Sequence, residues 1–270
     1  MPIKLLLLCA LLAACRRDPA STEFITLAST TSPENSGLFA VLLPKFTERT
    51  GIEVRALPVG TGKALRTARD GNADLVFVHA EALEKRFVAE GHGLARIAVM
   101  MNEFVVVGPP DDPAGVAGLR DAAEALRRIA RTRSTFVSRG DDSGTHVRER
   151  STWTRAGVDP TPHSGDWYLE AGAGMGATLN VAVSKGAYCI TDSSTWGAFA
   201  NKGDLTVHVE GDPPMRNPYT LIVVSKAKHP HAKQEQAQRF ADWITSSEGQ
   251  AIIGAFEVNG ARLFVPNAPP

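Results

Sequence analysis

Cysteine is scarce, with three in 270 residues, which excludes a disulfide-stapled scaffold and a metal cage built on paired thiolates. Charge of one sign is not in excess, since 29 Lys and Arg face 29 Asp and Glu. Such a chain lacks the basic surplus of nucleic-acid binders. It can still hold a small anion, which needs a few placed donors rather than a charged surface. Long apolar runs are missing as well. The run from Leu5 to Ala14 falls short of the roughly 20 residues of a resident transmembrane helix. No repeat of fixed period and no low-complexity segment occurs. What remains is a chain 43% hydrophobic, enough to bury a sizeable core in one or two domains.

The short apolar run has another use. Lys4, the run Leu5 to Ala14 and small residues before Cys15 have the layout of a secretory signal. Leu12-Ala13-Ala14-Cys15 is similar to a bacterial lipobox, which implies cleavage after residue 14, acylation of Cys15 and a lipidated tether over 15–23. A plain signal peptide with a chance cysteine is the alternative. Cys9 would leave with the signal, so Cys189 alone would remain as a free thiol, expected in the core among Ala187-Tyr188-Cys189-Ile190.

Beyond the tether, short apolar strands alternate with helices of about ten residues, the mark of βαβ units and a largely parallel sheet. Strands are expected at 24–28, 52–59, 73–78 and 104–107, with helices between them. Asn35 or Ser36 is expected to cap the helix that Gly51 ends, and Pro44 to kink it. Pro/Gly-rich breaks at 108–118 and 211–214 divide the chain. The division suggests one lobe from 24–108 and 212–265 and an inserted lobe from 109–211, joined by two crossover strands with a cleft between. In the inserted piece, helices are expected at 119–132, 144–156, 176–185 and 194–201, and strands at 134–138, 166–171 and 187–191. Tyr219–Val224 reads as a further strand, and 233–256 as a long helix or helix pair.

Four donor-rich loops lie between a strand and a helix, where ligands of open α/β sheets bind. Ser29-Thr30-Thr31-Ser32 offers four consecutive hydroxyls; Val59-Gly60-Thr61-Gly62-Lys63 adds a hydroxyl and approachable backbone, though not with P-loop spacing. Arg139-Gly140-Asp141-Asp142-Ser143-Gly144-Thr145-His146 supplies a permanently charged donor fork, two hydroxyls, and an aspartate to orient the arginine. Gly172-Ala173-Gly174-Met175-Gly176-Ala177 opens another helix with exposed N–H groups. Each loop by itself also reads as ordinary helix capping.

Rival chemistries are visible but thin. Ser143 and His146 share a helix face, as a nucleophile and base would, yet no third group orients them and no nucleophile elbow is present. The 172–177 loop matches G-x-G-x-x-A with Asp192 about 20 residues on, a dinucleotide fingerprint standing mid-chain in an exported protein. The histidines are too scattered for a metal site, and solvated or capping roles are expected of them. The tryptophans at 153, 167, 196 and 243 sit in apolar settings and are expected in the core. No cofactor or metal is called for and an enzyme is not expected; an exported hydrolase using Ser143 and His146 is the alternative of another class.

Taken together, these loops resemble the periplasmic tungstate-binding proteins of ABC importers, over about 24–265. The resemblance is carried by Ser29 to Leu38, Val59-Gly60-Thr61-Gly62, Ala73 to Ala80, Asn102 to Pro109, Phe136 to His146, Trp167-Tyr168-Leu169-Glu170, Gly174 to Asn180 and Val209 to Pro213. It implies the two-lobed α/β fold of periplasmic binding proteins, a monomer that hands its anion to a permease and its ATPase, and membrane attachment only through the lipid. It also implies ligand contacts at Thr30, Thr31, Thr61, Arg139, Ser143, Thr145 and Gly176. The Arg-x-Asp-x-Ser-Gly-Thr segment is similar to phosphate-binding proteins too, so molybdate, sulfate and phosphate stay open beside tungstate. Asp141 and Asp142 bear on phosphate, which carries a proton and welcomes a carboxylate acceptor. One departure stands out: Thr191-Asp192-Ser193-Ser194-Thr195 has Ser193 where the family commonly carries arginine.

Overall fold

The computed structural model describes residues 23–269; the expected signal peptide and Cys15 lie outside them. The first lobe begins with β1 (Phe24–Ser29), the one-turn α1 (Ser32–Asn35), α2 (Leu38–Thr50) and β2 (Glu53–Pro58). It continues through α3 (Thr61–Arg69), β3 (Leu75–Val78) and α4 (Glu81–Ala89) into the long β4 (Gly93–Gly108). Leu38, Leu42 and Phe46 bury one stripe of α2, which runs through Pro44 and ends at the left-handed Gly51. Its start differs from expectation. Asn35 closes α1 and Ser36 is that helix's C-cap, while Gly37, with φ of 84°, opens α2. The two turns are separate because Gly37 adopts a left-handed conformation that a β-branched or bulky residue resists.

The second lobe carries α5 (Ala122–Thr132), β5 (Phe136–Ser138), α6 (Gly144–Ala156), β6 (Tyr168–Glu170), α7 (Met175–Lys185), β7 (Tyr188–Asp192), α8 (Ser193–Ala198) and β8 (Thr206–Val209). α5 starts three residues later than its apolar pattern suggests, because the Asp121 carboxylate accepts from the N–H groups of Ala123 and Glu124. The chain then returns through β9 (Arg216–Val224), α9 (Gln234–Thr245), α10 (Ser247–Ala255) and the short strands β10 (Glu257–Val258), β11 (Ala261–Arg262) and β12 (Val265–Pro266).

The strands run in the order β2-β1-β3-β9-β4-β7-β5-β6. β1 is parallel to β2 and β3, and β5 to β6 and β7. β4 and β9 run antiparallel between these two groups. β4 pairs with β9 over its first part and with β7 from Phe104 to Val107, so one strand belongs to both sheets. Its first half escapes sequence reading because register shifts near Gly93/Arg96 and Ala98/Met100 break the period of two. β8 was also not anticipated; it is a half-exposed strand laid against the end of β4.

The inner strands are buried on both faces, so β3 and the last part of β4 read as unbroken apolar runs. Leu75 and Phe77 enter one cluster with Phe46 and Trp243, while Val76 and Val78 enter another with Leu65 and Phe87. In the second lobe Phe104 and Val106 join Trp153 and Trp167, while Val105 and Val107 join Cys189 and Leu179. Cys189 is fully buried, and burial pushes its thiol up, away from reactivity. Three tryptophans are thus core residues; Trp196 is partly buried, with Lys202 Nζ 5.3 Å from its ring. No helix among the described residues is long and apolar enough to cross a membrane.

Glu149 lies inside this second core, where Tyr168 Oη (2.8 Å) and Trp153 Nε1 (3.2 Å) donate to its carboxyl. Burial raises its pKa to about 7 against the lowering effect of these donors and of Ser138. Between about 4.5 and 7 the folded chain therefore holds a proton that the unfolded chain releases, and the stability this provides is lost as pH rises through 7. Glu149→Gln, which cannot ionise, should match wild type near pH 5. It should exceed wild type at pH 8, by up to about 3 kcal/mol. Denaturant melts at the two pH values test this, and a difference that shrinks with rising pH would refute it.

Candidate functional site

Parallel register decides what meets at the sheet edge. Ser29 pairs with Pro58 and with Phe77, so Thr30, Gly60-Thr61 and His79 all emerge from the carboxyl ends of adjacent strands. Val59 N–H donates to Ser29 O at 2.8 Å, tying the first two loops together. In the second lobe Ser138 pairs with Glu170, so Arg139 stands beside the 171–176 loop. Ala173 N–H donates to Arg139 O at 3.2 Å.

The two edges meet at His79 and Gly144. A Cβ built on Gly144 would lie 2.6 Å from His79 Cε1, so only glycine lets the start of α6 approach the end of β3 this closely. Thr30 Oγ1 lies 3.1 Å from His79 Nε2, and the ring lies tilted by 34° against Tyr219, centroids 4.9 Å apart. Deeper between the lobes, Asn102 Nδ2 donates to Asp192 Oδ1 (3.2 Å) and to Ser194 Oγ (3.0 Å), and Asn217 donates to Asn102 Oδ1 (2.7 Å).

Around this seam the polar groups divide by what they have left to give. Thr30, Thr61, Arg139 and Thr145 are 5%, 1%, 7% and 3% exposed. Thr61 Oγ1 and Arg139 Nε are shut from solvent and have no partner within the protein, and Thr61 is not used as a cap. Arg139 donates through Nη2 to Asp141 Oδ2 (2.5 Å) and reaches Thr145 Oγ1 through Nη1 at 3.5 Å. Ser143 Oγ accepts the His146 N–H at 3.2 Å as N-cap of α6, which leaves its hydroxyl proton free. The first N–H groups of that 13-residue helix have no partner inside it.

The carboxylates, in contrast, are occupied. Asp141 takes Arg139 and the Ser143 N–H. Asp192 Oδ1 takes Asn102, Ser194 Oγ (2.5 Å) and the Thr195 N–H (2.9 Å) as N-cap of α8. Asp142 points to solvent from a left-handed backbone position. A buried group with unspent donors and no acceptor to receive them is a costly arrangement that a ligand of acceptors would relieve. The cluster therefore suits an oxyanion without a proton.

The remaining candidates are less involved. Thr31 is partly buried at the N-cap of α1 and makes no capping bond with its side chain. Gly176 is the second residue of α7, and a Cβ there would meet nothing within 4 Å. The hydrolase arrangement is absent. His146 Nδ1 accepts the Asp142 N–H at 3.0 Å, and its backbone N–H, not its ring, addresses Ser143. The dinucleotide arrangement fails as well, since Asp192 is consumed in capping α8. Among the described residues no group of three His, Cys, Asp or Glu could hold a metal.

His79 is the residue that sequence reasoning missed, having assigned it a solvated or capping role. Burial, with Arg139 and Arg148 nearby, pulls its pKa down to about 4 against the opposing pull of Asp192 and of Asn217. The signal was present: His79 follows the buried strand β3 directly, the same strand-end position that marked the other loops. A pocket of about 400 Å³ opens beside it between α4 and α6, lined by Leu83, Lys85, Val147 and Arg148. The donors of Thr30, Thr61 and Arg139 lie outside that pocket.

Ser193 opens α8. It lines a pocket of about 270 Å³ with Met101, Glu103, Arg216 and Arg262 beside the crossing strands, and Glu103 N–H lies 3.5 Å from its Oγ. Ser193→Arg should leave anion selectivity within about threefold of wild type, because Ser193 shares its pocket with Glu103, a carboxylate that can pair with a new guanidinium there. Competition calorimetry showing a larger change would place position 193 at the ligand. Thr61→Val removes a buried, unpartnered hydroxyl while keeping the shape. Ligand-free melting should stay level or rise slightly, and anion affinity should fall about tenfold or more. A clear loss of ligand-free stability would mean that the hydroxyl serves the fold.

A family profile described as "PBP superfamily domain" matches residues 17–248. The chain is 46% identical over 253 residues to a putative ABC transporter anion-binding protein of Haloferax volcanii, covering 92% of this chain and 73% of that one. It is 44% identical over 248 residues to the tungstate-binding protein TupA of Peptoclostridium acidaminophilum, covering 90% and 86%. Among solved structures, TupA from Desulfovibrio alaskensis matches with TM-score 0.80 and 44% identity, covering 92% of this chain and all of that one. The tungstate ABC transporter structure from Geobacter sulfurreducens matches with TM-score 0.79 and 45% identity, covering 87% and 99%. The strand order, the two-sheet layout and these matches agree: the chain belongs to the PBP superfamily and, within it, to the family of the TupA tungstate-binding proteins.

Proposed function

We propose that this protein is the substrate-binding component of an ABC importer, which captures tungstate between its lobes and delivers it to the permease. The observation that carries this reading is the imbalance at the seam: Arg139 Nε and Thr61 Oγ1 are buried and unspent, while Asp141 is engaged. A tetrahedral dianion with four acceptor oxygens and no proton matches that set. Hydrogen phosphate matches it less well, because its proton would have to share an Asp141 oxygen that already accepts from Arg139 or from the Ser143 N–H, and Asp142 turns to solvent. Tungstate is favoured over sulfate by the TupA relatives. Molybdate, nearly equal in size and charge, remains the second reading.

In this reading residues 24–108 and 212–265 form one lobe and 109–211 the other, and closing them strengthens each bond by expelling water. Thr30, Thr31, Thr61, Arg139, Ser143 and Thr145 contact the anion, with Gly176 at the rim. Residues 1–14 are a signal peptide, and acylated Cys15 holds a monomer at the periplasmic face. Nanomolar capture corresponds to about −12 kcal/mol, within reach of several charge-assisted bonds made in a closed site.

Arg139→Ala should weaken tungstate binding by a hundredfold or more, because it removes the charged donor and strands Asp141. In a thermal-shift panel of tungstate, molybdate, sulfate and phosphate, wild type should respond to the first two and the variant to none. Calorimetry showing full tungstate affinity in Arg139→Ala would rule out this site, and stabilisation by phosphate alone would rule out the ligand.

A further inference from the structure

The donor cluster leaves one group unexplained. His79 is not needed to cap a helix, and it pairs with no carboxylate. It nonetheless occupies the seam, with Nε2 3.1 Å from the Thr30 hydroxyl, its ring edge against Gly144, and Nδ1 buried without a partner. The hydrogen bond between Thr30 and His79 can be written two ways. If Thr30 donates to Nε2, its only proton is spent and its oxygen turns lone pairs toward the site, which repels an anion. If Nε2–H donates to Thr30 Oγ1, the hydroxyl proton is released for an outside acceptor and polarised by the bond it receives.

We propose that His79 is a positioning residue for anion binding: its Nε2–H tautomer holds the Thr30 hydroxyl as a donor to the ligand. The inference rests on the oxyanion reading of the cleft.

Three observations support it. The ring is neutral at ordinary pH, since burial, with the guanidiniums of Arg139 and Arg148, outweighs the opposing pull of Asp192 and Asn217, so a tautomer and not a charge is the variable. The edge carrying Cε1 and both nitrogens faces Gly144, and Nδ1 is shut from solvent with no hydrogen-bond partner, so placing the ring's hydrogen on Nε2, where Thr30 Oγ1 can accept it, avoids a buried N–H without an acceptor. Thr30 is buried, so water is not at hand to take over the orienting role.

The test uses the whole mature chain labelled with ¹⁵N in its imidazoles, with His79→Gln to assign the resonance. Long-range ¹H–¹⁵N spectra at pH 7.5 with saturating tungstate should show His79 as the Nε2–H tautomer. The Nδ1–H tautomer in the bound protein would overturn the proposal. Calorimetry supplies the second readout. His79→Leu keeps the bulk without a donor and should bind tungstate about tenfold more weakly, whereas His79→Gln, whose amide N–H can stand in for Nε2–H, should recover to within about threefold. Equal loss in both variants, or no loss in His79→Leu, would overturn the role of His79 while leaving the oxyanion site intact. Wild-type protein that shows no tungstate saturation would overturn both.

Discussion

Arg139 is a permanent charge kept almost entirely from water, and Asp141 two residues away makes that tolerable. An unpaired guanidinium at such burial would cost several kcal/mol, and its partner is held in turn by the Ser143 N–H. The pairing fixes the direction of the arginine fork, and it leaves Nε with nothing to bond. It also leaves both Asp141 oxygens already accepting, one from Arg139 and one from the Ser143 N–H, which weakens Asp141 as an acceptor for a ligand proton. One ion pair thus supplies the site's charge, its orientation and its preference for a ligand with no proton to offer.

The rest of the site follows from that economy of acceptors. Asp192 carries no cation but satisfies an asparagine, a serine and a helix N-terminus, which welds α8 to the crossing strand β4. Ser143 caps α6 with its oxygen while keeping its proton. The capping and ligand-binding readings of the hydroxyl loops are therefore not opposed, since a hydroxyl can accept from its own helix and donate outward. Thr61 departs from that pattern: it caps nothing, and its buried hydroxyl has no structural partner.

Contact between the lobes carries the same logic. Gly144 admits His79 to the seam, and the imidazole reaches Thr30 on one side and Tyr219 on the other. A larger residue at 144 would hold the two sheet edges apart and separate the donors each contributes. Binding between lobes needs such contacts to be better when the lobes are together than when they are apart.

The order of strands and helices, the apolar stripes of the helices and the loops bearing the donors were legible in the sequence, because they rest on local periodicity, turn chemistry and strand-end position. α3 and α6 begin and end where their caps and periods indicate. Where tertiary pairing overrides local signals, the sequence was silent or misleading. The first half of β4 is broken by register shifts against β9, β8 is a strand only because β4 lies beside it, and Gly37 rather than Ser36 starts α2. His79 looked like any surface histidine, and its meaning depends on Gly144, 65 positions along the chain and in the other lobe. The sequence by itself determined which groups could donate to an anion. Only the tertiary structure decided which donors remain unspent, since that depends on acceptors brought in from distant parts of the chain.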